Sequence, residues 1–382
     1  MVEPEVAAQI IDTVRRFVER EVKPSAARYE HADEYPTPLV ERMKELGLFG
    51  ATIHPEYGGL GLSATVYAAV VARIAKAWMA PVGIFNSHLI MAACVQRHGT
   101  EEQKQRFLPR FATGELRGGL GLTEPNAGTD LQAIRTVARR DGDHYVLNGT
   151  KTWITNGVYG TAFAILAKTD PEAQPRHKGM TMFVAEKGEG FTVGRKIKKL
   201  GYRAIDSAEL VFDNHLVAAD RLIGGEEGRG FHHAVSGLEL GRINVAARGL
   251  GIAQAALADA LRYAQERQAF GKPIAQHQAI QLKLADMGTK LEAARLLTYQ
   301  AAAKKDRGER CDLEAGMAKL FASETCLEIA TEAMRILGGY GYTKEFPVER
   351  YFRDAPLMII GEGINEIQRT VIARQLIQKY KA

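Results

Sequence analysis

The chain has 382 residues, 46% hydrophobic and 25% charged, with a net charge of +5 and 3 cysteines. That length exceeds what one hydrophobic core usually serves, so two or three packed units of a folded globular protein are expected. Arg and Lys are interleaved with acids rather than massed, which gives a nucleic-acid role no support, and no apolar run is long enough to span a bilayer.

The N-terminus lacks a basic stretch followed by an apolar core, so a cytoplasmic protein without a membrane role is the expectation. Cys94, Cys311 and Cys326 are scattered without metal-type spacing and read as reduced thiols, with no metal site expected.

Ile10, Ile11, Val14, Phe17, Val18 and Val22 recur at helical spacing, which predicts a first helix ending at Pro24. The glycines at 58, 59 and 61 lack the Gly-Lys-Ser/Thr ending of a phosphate loop, so this segment reads as a connection. Residues 64–111 return to alanine-rich helical patterns. From Gly118 the turn pairs Asp141-Gly142, Asn148-Gly149 and Asn156-Gly157 separate short segments, and Met180, Met182 and Val184 alternate with their neighbours, as do Ala208, Leu210 and Phe212. Beyond Gly224, Gly225 and Gly228, long helices are predicted over 243–268, 276–307 and 313–337, a pattern that favours an antiparallel bundle. The expected architecture is α+β and multidomain: an N-terminal helical domain (1–117), a central β-barrel or sandwich domain (118–226) and a C-terminal four-helix bundle (227–382).

Three short runs carry chemistry. Residues 121–130, Gly-Leu-Thr-Glu-Pro-Asn-Ala-Gly-Thr-Asp, offer hydroxyls and backbone donors that suit a polar ring edge or a phosphate, or simply a turn into a strand. In 148–157, Asn-Gly-Thr-Lys-Thr-Trp-Ile-Thr-Asn-Gly, Trp153 and Thr155 project to one face of a strand and could hold a planar cofactor, or the Trp could serve core packing. Gly361-Glu362-Gly363 places a carboxylate on a bare turn, where it is either an exposed loop charge or a general base with close access to a ligand.

Together with Glu266-Arg267-Gln268-Ala269-Phe270-Gly271, Gly338-Gly339-Tyr340-Gly341-Tyr342 and the Glu-Gly-x-x-Glu-Ile-Gln-Arg run from Glu362, these runs resemble the acyl-CoA dehydrogenase family over essentially the whole chain. The resemblance implies bound FAD, an acyl-CoA substrate, a homotetramer built as a pair of dimers, and electron-transfer flavoprotein as the acceptor. It places Leu122, Thr123, Trp153, Ile154 and Thr155 at the flavin, with Thr129 near both cofactor and substrate. Arg267, Phe270, Gln278, Arg335, Gly338 and Gly339 match positions that reach the remainder of FAD from a neighbouring subunit, and Ile364 and Glu366 fall in a cofactor-binding stretch. Glu362 matches the base that removes the α-proton of the thioester while the β-hydrogen leaves as hydride to flavin N5, giving trans-2-enoyl-CoA.

Arg242 and Gly363 match positions beside the bound thioester, and Gly363 would be small so that the thioester can pass close to the main chain. Arg242 also reads as half of an interhelical ion pair. Some members carry the base one residue before this Arg, where the present chain has Gly241. Departures from the family pattern are Arg335 for Gln, Ile364 for Thr and Gly361 for Tyr, the last implying extra room in the acyl pocket. An oxygen-using acyl-CoA oxidase and a flavin-free binding scaffold are the competing readings.

Overall fold

The computed structural model describes residues 3–381, apart from the side chain of Glu239. The helices α1 (Pro4–Phe17), α2 (Lys23–Ala32), α3 (Thr37–Glu45), α4 (Ala64–Ala77), α5 (Ala80–His98) and α6 (Glu101–Ala112) come first. The expected stop at Pro24 does not occur. A π-helical turn, Val18–Val22, joins α1 to α2, and Pro24 falls in the first turn of α2, where the missing N–H and the fixed φ of proline are tolerated. Thr100 and Gln103 form a reciprocal capping box on α6. Gln103 also donates to Asp220 O at 2.8 Å and Leu222 O at 2.6 Å, which ties this helix to the central sheet.

That sheet contains β1 (Gly118–Gly121), β2 (Val137–Asp141), β3 (His144–Thr155), β4 (Ala162–Lys168), β5 (Met180–Glu186), β6 (Phe191–Lys196) and β7 (Ser207–Ala218). The strand order is β1-β4-β2-β3-β7-β6, with β5 antiparallel along the whole of β4. Strict alternation predicts one wet and one dry face for a strand such as β5, yet β4 and β5 are buried on both. Ala164, Leu166, Met182 and Val184 join the helical core, whereas Phe163, Ile165, Phe183 and Ala185 fill the inside of the curled sheet. Period two therefore sorts these side chains between two interiors.

The C-terminal part opens with α7 (Gly230–Glu266), which begins well before the expected position 243. Glycines at 230, 237 and 241 weaken its local helix signal, and packing against α4 and α5 overrides that weakness. A short hairpin, β8 (Gln268–Ala269) and β9 (Lys272–Pro273), leads to α8 (Gln278–Asp306), α9 (Asp312–Leu337), α10 (Val348–Ile360) and α11 (Asn365–Lys379). Small residues line the buried sides of α7 and α9, including Ala246, Ala253 and Ala260 on one and Ala315, Ala322 and Ala330 on the other. Among the described residues, no helix is long and apolar enough to cross a membrane. Helices α4, α5, α7 and α9 all send polar side chains toward the turn between α10 and α11.

Candidate active site

Glu362 occupies that turn. Helix α10 ends as Gly361 leaves helical angles, Glu362 takes a left-handed φ of 56°, and Gly363 follows at 94°. A non-glycine residue in this region costs on the order of 1–3 kcal/mol and persists only where its surroundings fix it. Lys319 of α9 provides the brace: its Nζ donates to Ile359 O at 3.0 Å, Gly363 O at 2.8 Å and Asn365 Oδ1 at 2.7 Å. Asn365 in turn donates to Ser323 Oγ at 3.0 Å. The main chain itself accounts for glycine at 363, since φ is positive there and a Cβ would approach Gln368 Nε2 to 2.9 Å.

The Glu362 side chain turns inward. Asn86 Nδ2 on α5 donates to Oε1 at 3.1 Å, and Arg248 Nη2 on α7 pairs with the same oxygen. Asn86 is oriented by Tyr67 on α4, whose hydroxyl donates to Asn86 Oδ1 at 2.9 Å and accepts from Asn244 Nδ2 at 3.1 Å. Oε2 has no hydrogen-bond partner among the described residues. It rests on Gly241, where an added Cβ would stand only 2.1 Å away. Gly241, Asn244 and Arg248 follow i, i+3, i+7 spacing and so share one face of α7. Burial pushes the Glu362 carboxyl above its ordinary value, while the charge and hydrogen bond of Arg248, then Lys319 and Asn86, pull the other way. One anchored oxygen, one free oxygen and a raised proton affinity suit a group that accepts a proton from a weak acid.

A second cluster joins two of the sequence runs. Lys151 Nζ pairs with Glu124 Oε1 at 2.7 Å, both side chains being buried, and also donates to Leu122 O at 3.1 Å. Glu124 further accepts from Arg135 N at 2.6 Å and Thr136 N at 2.9 Å, and Thr152 N donates to Thr123 O at 2.8 Å. The segment after β1 is thereby laid against the end of β3.

There the β3–β7 register shifts between Lys151 and Ile154, with Trp153 at φ 62°. Trp153 is 58% exposed, Ile154 3%, and Thr155 half-buried. The indole and the Thr155 side chain thus lie on the open side of the strand, beside the Thr123 loop. An exposed, flat indole next to hydroxyls and backbone donors fits a planar heterocycle. The Ile154 side chain packs within the sheet interior, and that of Leu122 against the helical core. Thr129 is exposed at the far end of the loop.

The remaining candidates lie at the surface. Phe270 sits at the tip of the β8–β9 hairpin with φ 51° and is 95% exposed. The Arg267 guanidinium lies 6.0 Å from the ring centre of Tyr340, which places it beside the Gly338–Tyr342 turn. Gly338 and Gly339 face open space. Gln278 is exposed, and Arg335 pairs with its helical neighbour Glu332. Ile364 is half-buried and Glu366 exposed at the start of α11.

Residues 4–115, 119–215 and 228–377 match, in that order, the N-terminal, middle and C-terminal domains of acyl-CoA dehydrogenase. The chain belongs to the acyl-CoA dehydrogenase family. It is 42% identical over 367 residues to the short-chain specific acyl-CoA dehydrogenase of Clostridium acetobutylicum, covering 96% of each chain. Butyryl-CoA dehydrogenase from Megasphaera elsdenii matches with a TM-score of 0.94 and 39% identity over 99% of both chains. A chain from the solved structure of the electron transferring flavoprotein of Acidaminococcus fermentans, described as a step towards a mechanism of flavin-based electron bifurcation, matches with a TM-score of 0.95 and 40% identity over 99% of both chains. Acyl-CoA dehydrogenases are oxidoreductases, and the helical N- and C-terminal regions around a central curled sheet are those of the family.

Within this acyl-CoA dehydrogenase, Arg242 reaches Asp312 of α9 at 3.6 Å and is the interhelical ion pair that a helical Arg suggests. Gly241 does more than leave a position vacant, since any side chain there would collide with the Glu362 carboxylate. Asn86, Tyr67, Asn244, Arg248 and Lys319 escaped the sequence reading. The available signal was polarity out of place: Asn244 and Arg248 interrupt an otherwise apolar and glycine-alanine stretch from Ile243 to Ile252.

His98, His232 and His233, also unforeseen, bring ring nitrogens within 4.8 Å of one another. Arg97 and Arg229 add positive charge beside them, which disfavours a cation.

Proposed function

We propose that the protein is an FAD-dependent dehydrogenase of short acyl-CoA thioesters, forming trans-2-enoyl-CoA and passing electrons to an electron-transfer flavoprotein. The observation that carries this reading is the inward-facing Glu362 carboxylate with Oε1 held and Oε2 buried without a hydrogen-bond partner among the described residues. In this role Glu362 takes the α-proton of the thioester, and its own backbone N–H is a donor for the thioester oxygen as negative charge develops there. Thr129, Arg242 and Gly363 line the approach of the thioester.

Bound FAD supplies the acceptor for the β-hydrogen and its electron pair. The chain's part is to hold it: Leu122, Thr123, Trp153 and Thr155 form the ring surface. The exposed Arg267, Phe270, Gln278, Arg335, Gly338 and Gly339, with Ile364 and Glu366, serve the rest of the cofactor, partly across subunits of a homotetramer. An apolar residue as exposed as Phe270 supports coverage by a second molecule.

A cavity of about 520 Å³ lined by His177, Lys178, Arg229, Phe231 and His232 adds support for a CoA ester. It lies at the start of α7, ten residues before Gly241, or about 15 Å along the helix. That separation suits an extended pantetheine arm whose end lies in a mainly apolar pocket edged by Lys178 and Arg229. The short-chain assignment follows the relatives, which are named for short-chain and butyryl substrates.

The test is E362Q. The purified variant should remain yellow yet lose anaerobic bleaching by butyryl-CoA by about 10²–10⁴-fold. Bleaching at the parental rate would reassign the base. Peroxide release during aerobic turnover would place the protein with the oxidases.

A further inference from the structure

The five polar and small residues around Glu362 have one arrangement in common: everything that touches the carboxylate touches Oε1 or crowds Oε2 without bonding it. Arg248 and Asn86 both donate to Oε1. Tyr67 and Asn244 act behind Asn86 and fix which end of its amide faces the base. Gly241 offers Oε2 only a Cα surface.

Arg248 is 4% exposed and its Nε has no partner among the described residues, so its guanidinium is committed to a buried site and to this one carboxylate. Removing a carboxylate from water favours its protonated form, and a protonated base cannot accept a proton. An opposite charge in direct contact restores the ionised form.

We propose that Arg248 is the positioning residue of proton abstraction: it clamps Oε1, keeps Glu362 ionised in its partly buried site, and leaves Oε2 as the atom that takes the α-proton. The proposal rests on Glu362 being the base. In the step, the α-carbon–hydrogen bond breaks, its electron pair stays with the thioester carbon framework, and the proton ends on Oε2. The Glu362–Arg248 pair then becomes a neutral acid beside an arginine, so positive charge is exposed as negative charge grows on the thioester.

The other charged or titratable groups facing the carboxylate are Lys319 from α9, Tyr67 from α4, and Tyr202 from the segment after β6. Burial holds both tyrosines neutral by raising their proton affinity. Lys319 is occupied by main-chain oxygens and Asn365, which leaves Arg248 as the cation in contact with the base.

The experiment follows exchange of the α-hydrogen of butyryl-CoA in D₂O, by mass spectrometry, across pH in the FAD-loaded protein. Exchange reports proton removal without requiring net oxidation. In R248Q the acid limb of the exchange profile should move up by about 1–3 pH units, with exchange near the parental rate recovered on the alkaline side. R248K, which keeps the charge, should return the limb toward the parent. R248M, matching the aliphatic stem, substitutes for R248Q should the amide not fold. An unmoved acid limb in R248Q or R248M, or an R248K limb displaced as far as that of R248Q, overturns the proposal. A parent that neither exchanges nor bleaches would instead sink the assignment of Glu362 and, with it, the role of Arg248.

Discussion

The turn bearing Glu362 and the hairpin bearing Phe270 are both tight, both include a non-glycine residue at positive φ, and both belong to the expected site. They differ in who holds them. Around Glu362, helices α4, α5, α7 and α9 of the same chain supply hydrogen bonds and charge. Around Phe270, the chain supplies an edge contact with His277, at 5.9 Å between ring centres, and leaves the ring in water. A strained conformation inside a packed cradle is fixed by folding; an apolar side chain held out on a hairpin acquires its place only through what binds it. The Glu362 turn is therefore held within one chain, whereas on the proposed reading the Phe270 surface is completed by a cofactor or a second copy.

Breaking the brace of the finished side should have the largest effect. K319M removes the donor shared by Ile359 O, Gly363 O and Asn365 Oδ1 and leaves buried acceptors unsatisfied, so urea unfolding should show a loss of about 3 kcal/mol or more, with bleaching lost as well. A loss below about 0.5 kcal/mol would show that the turn holds its shape unaided.

The unfinished side should respond differently. F270A should weaken FAD retention on dilution by about tenfold while changing the stability of the cofactor-free chain by less than about 0.5 kcal/mol. Equal damage to both would erase the distinction between the two regions.

A smaller, pH-dependent effect concerns the histidines at the junction of α5 and α7. Burial, with neighbouring positive charge, lowers His98 and His233 from 6.5 to about 4. Folding thus favours their neutral forms, and the unfolded chain binds more protons between those values. The stability associated with neutral His98 and His233 is fully present above pH 6.5 and is lost as pH falls toward 4. Replacing His98 with Phe should flatten that acid-side decline in a pH series of thermal melts; an unchanged slope would show that the ring titrates alike folded and unfolded.

Much of the fold was legible because helical and strand periods are written locally. The exceptions have identifiable causes. Pro24 reads as a stop until a π turn lets the helix absorb it, and glycines at 237 and 241 mask the start of α7 because what they make room for, Cys94 of α5 and the Glu362 carboxylate, lies far away in the chain. Glu362 stood out through its glycine neighbours and the runs around it. Its cradle did not, since Tyr67, Asn86, Asn244 and Arg248 become neighbours only when α4, α5 and α7 pack together, and no spacing along the chain announces that meeting. Ile154 shows the converse: inside an informative run its side chain packs into the sheet interior, while Trp153 before it is exposed and Thr155 after it half-buried.

The contact between Gly241 and Oε2 also constrains how such an enzyme could change over time. An acid added at 241 would place its Cβ 2.1 Å from Oε2 of Glu362 as that side chain now stands, so the end of the Glu362 side chain would have to move to make room for it. Glycine at 241 thus lets the inward carboxylate lie directly on the backbone of the long helix, and a side chain added there would be felt first as a displacement of that carboxylate.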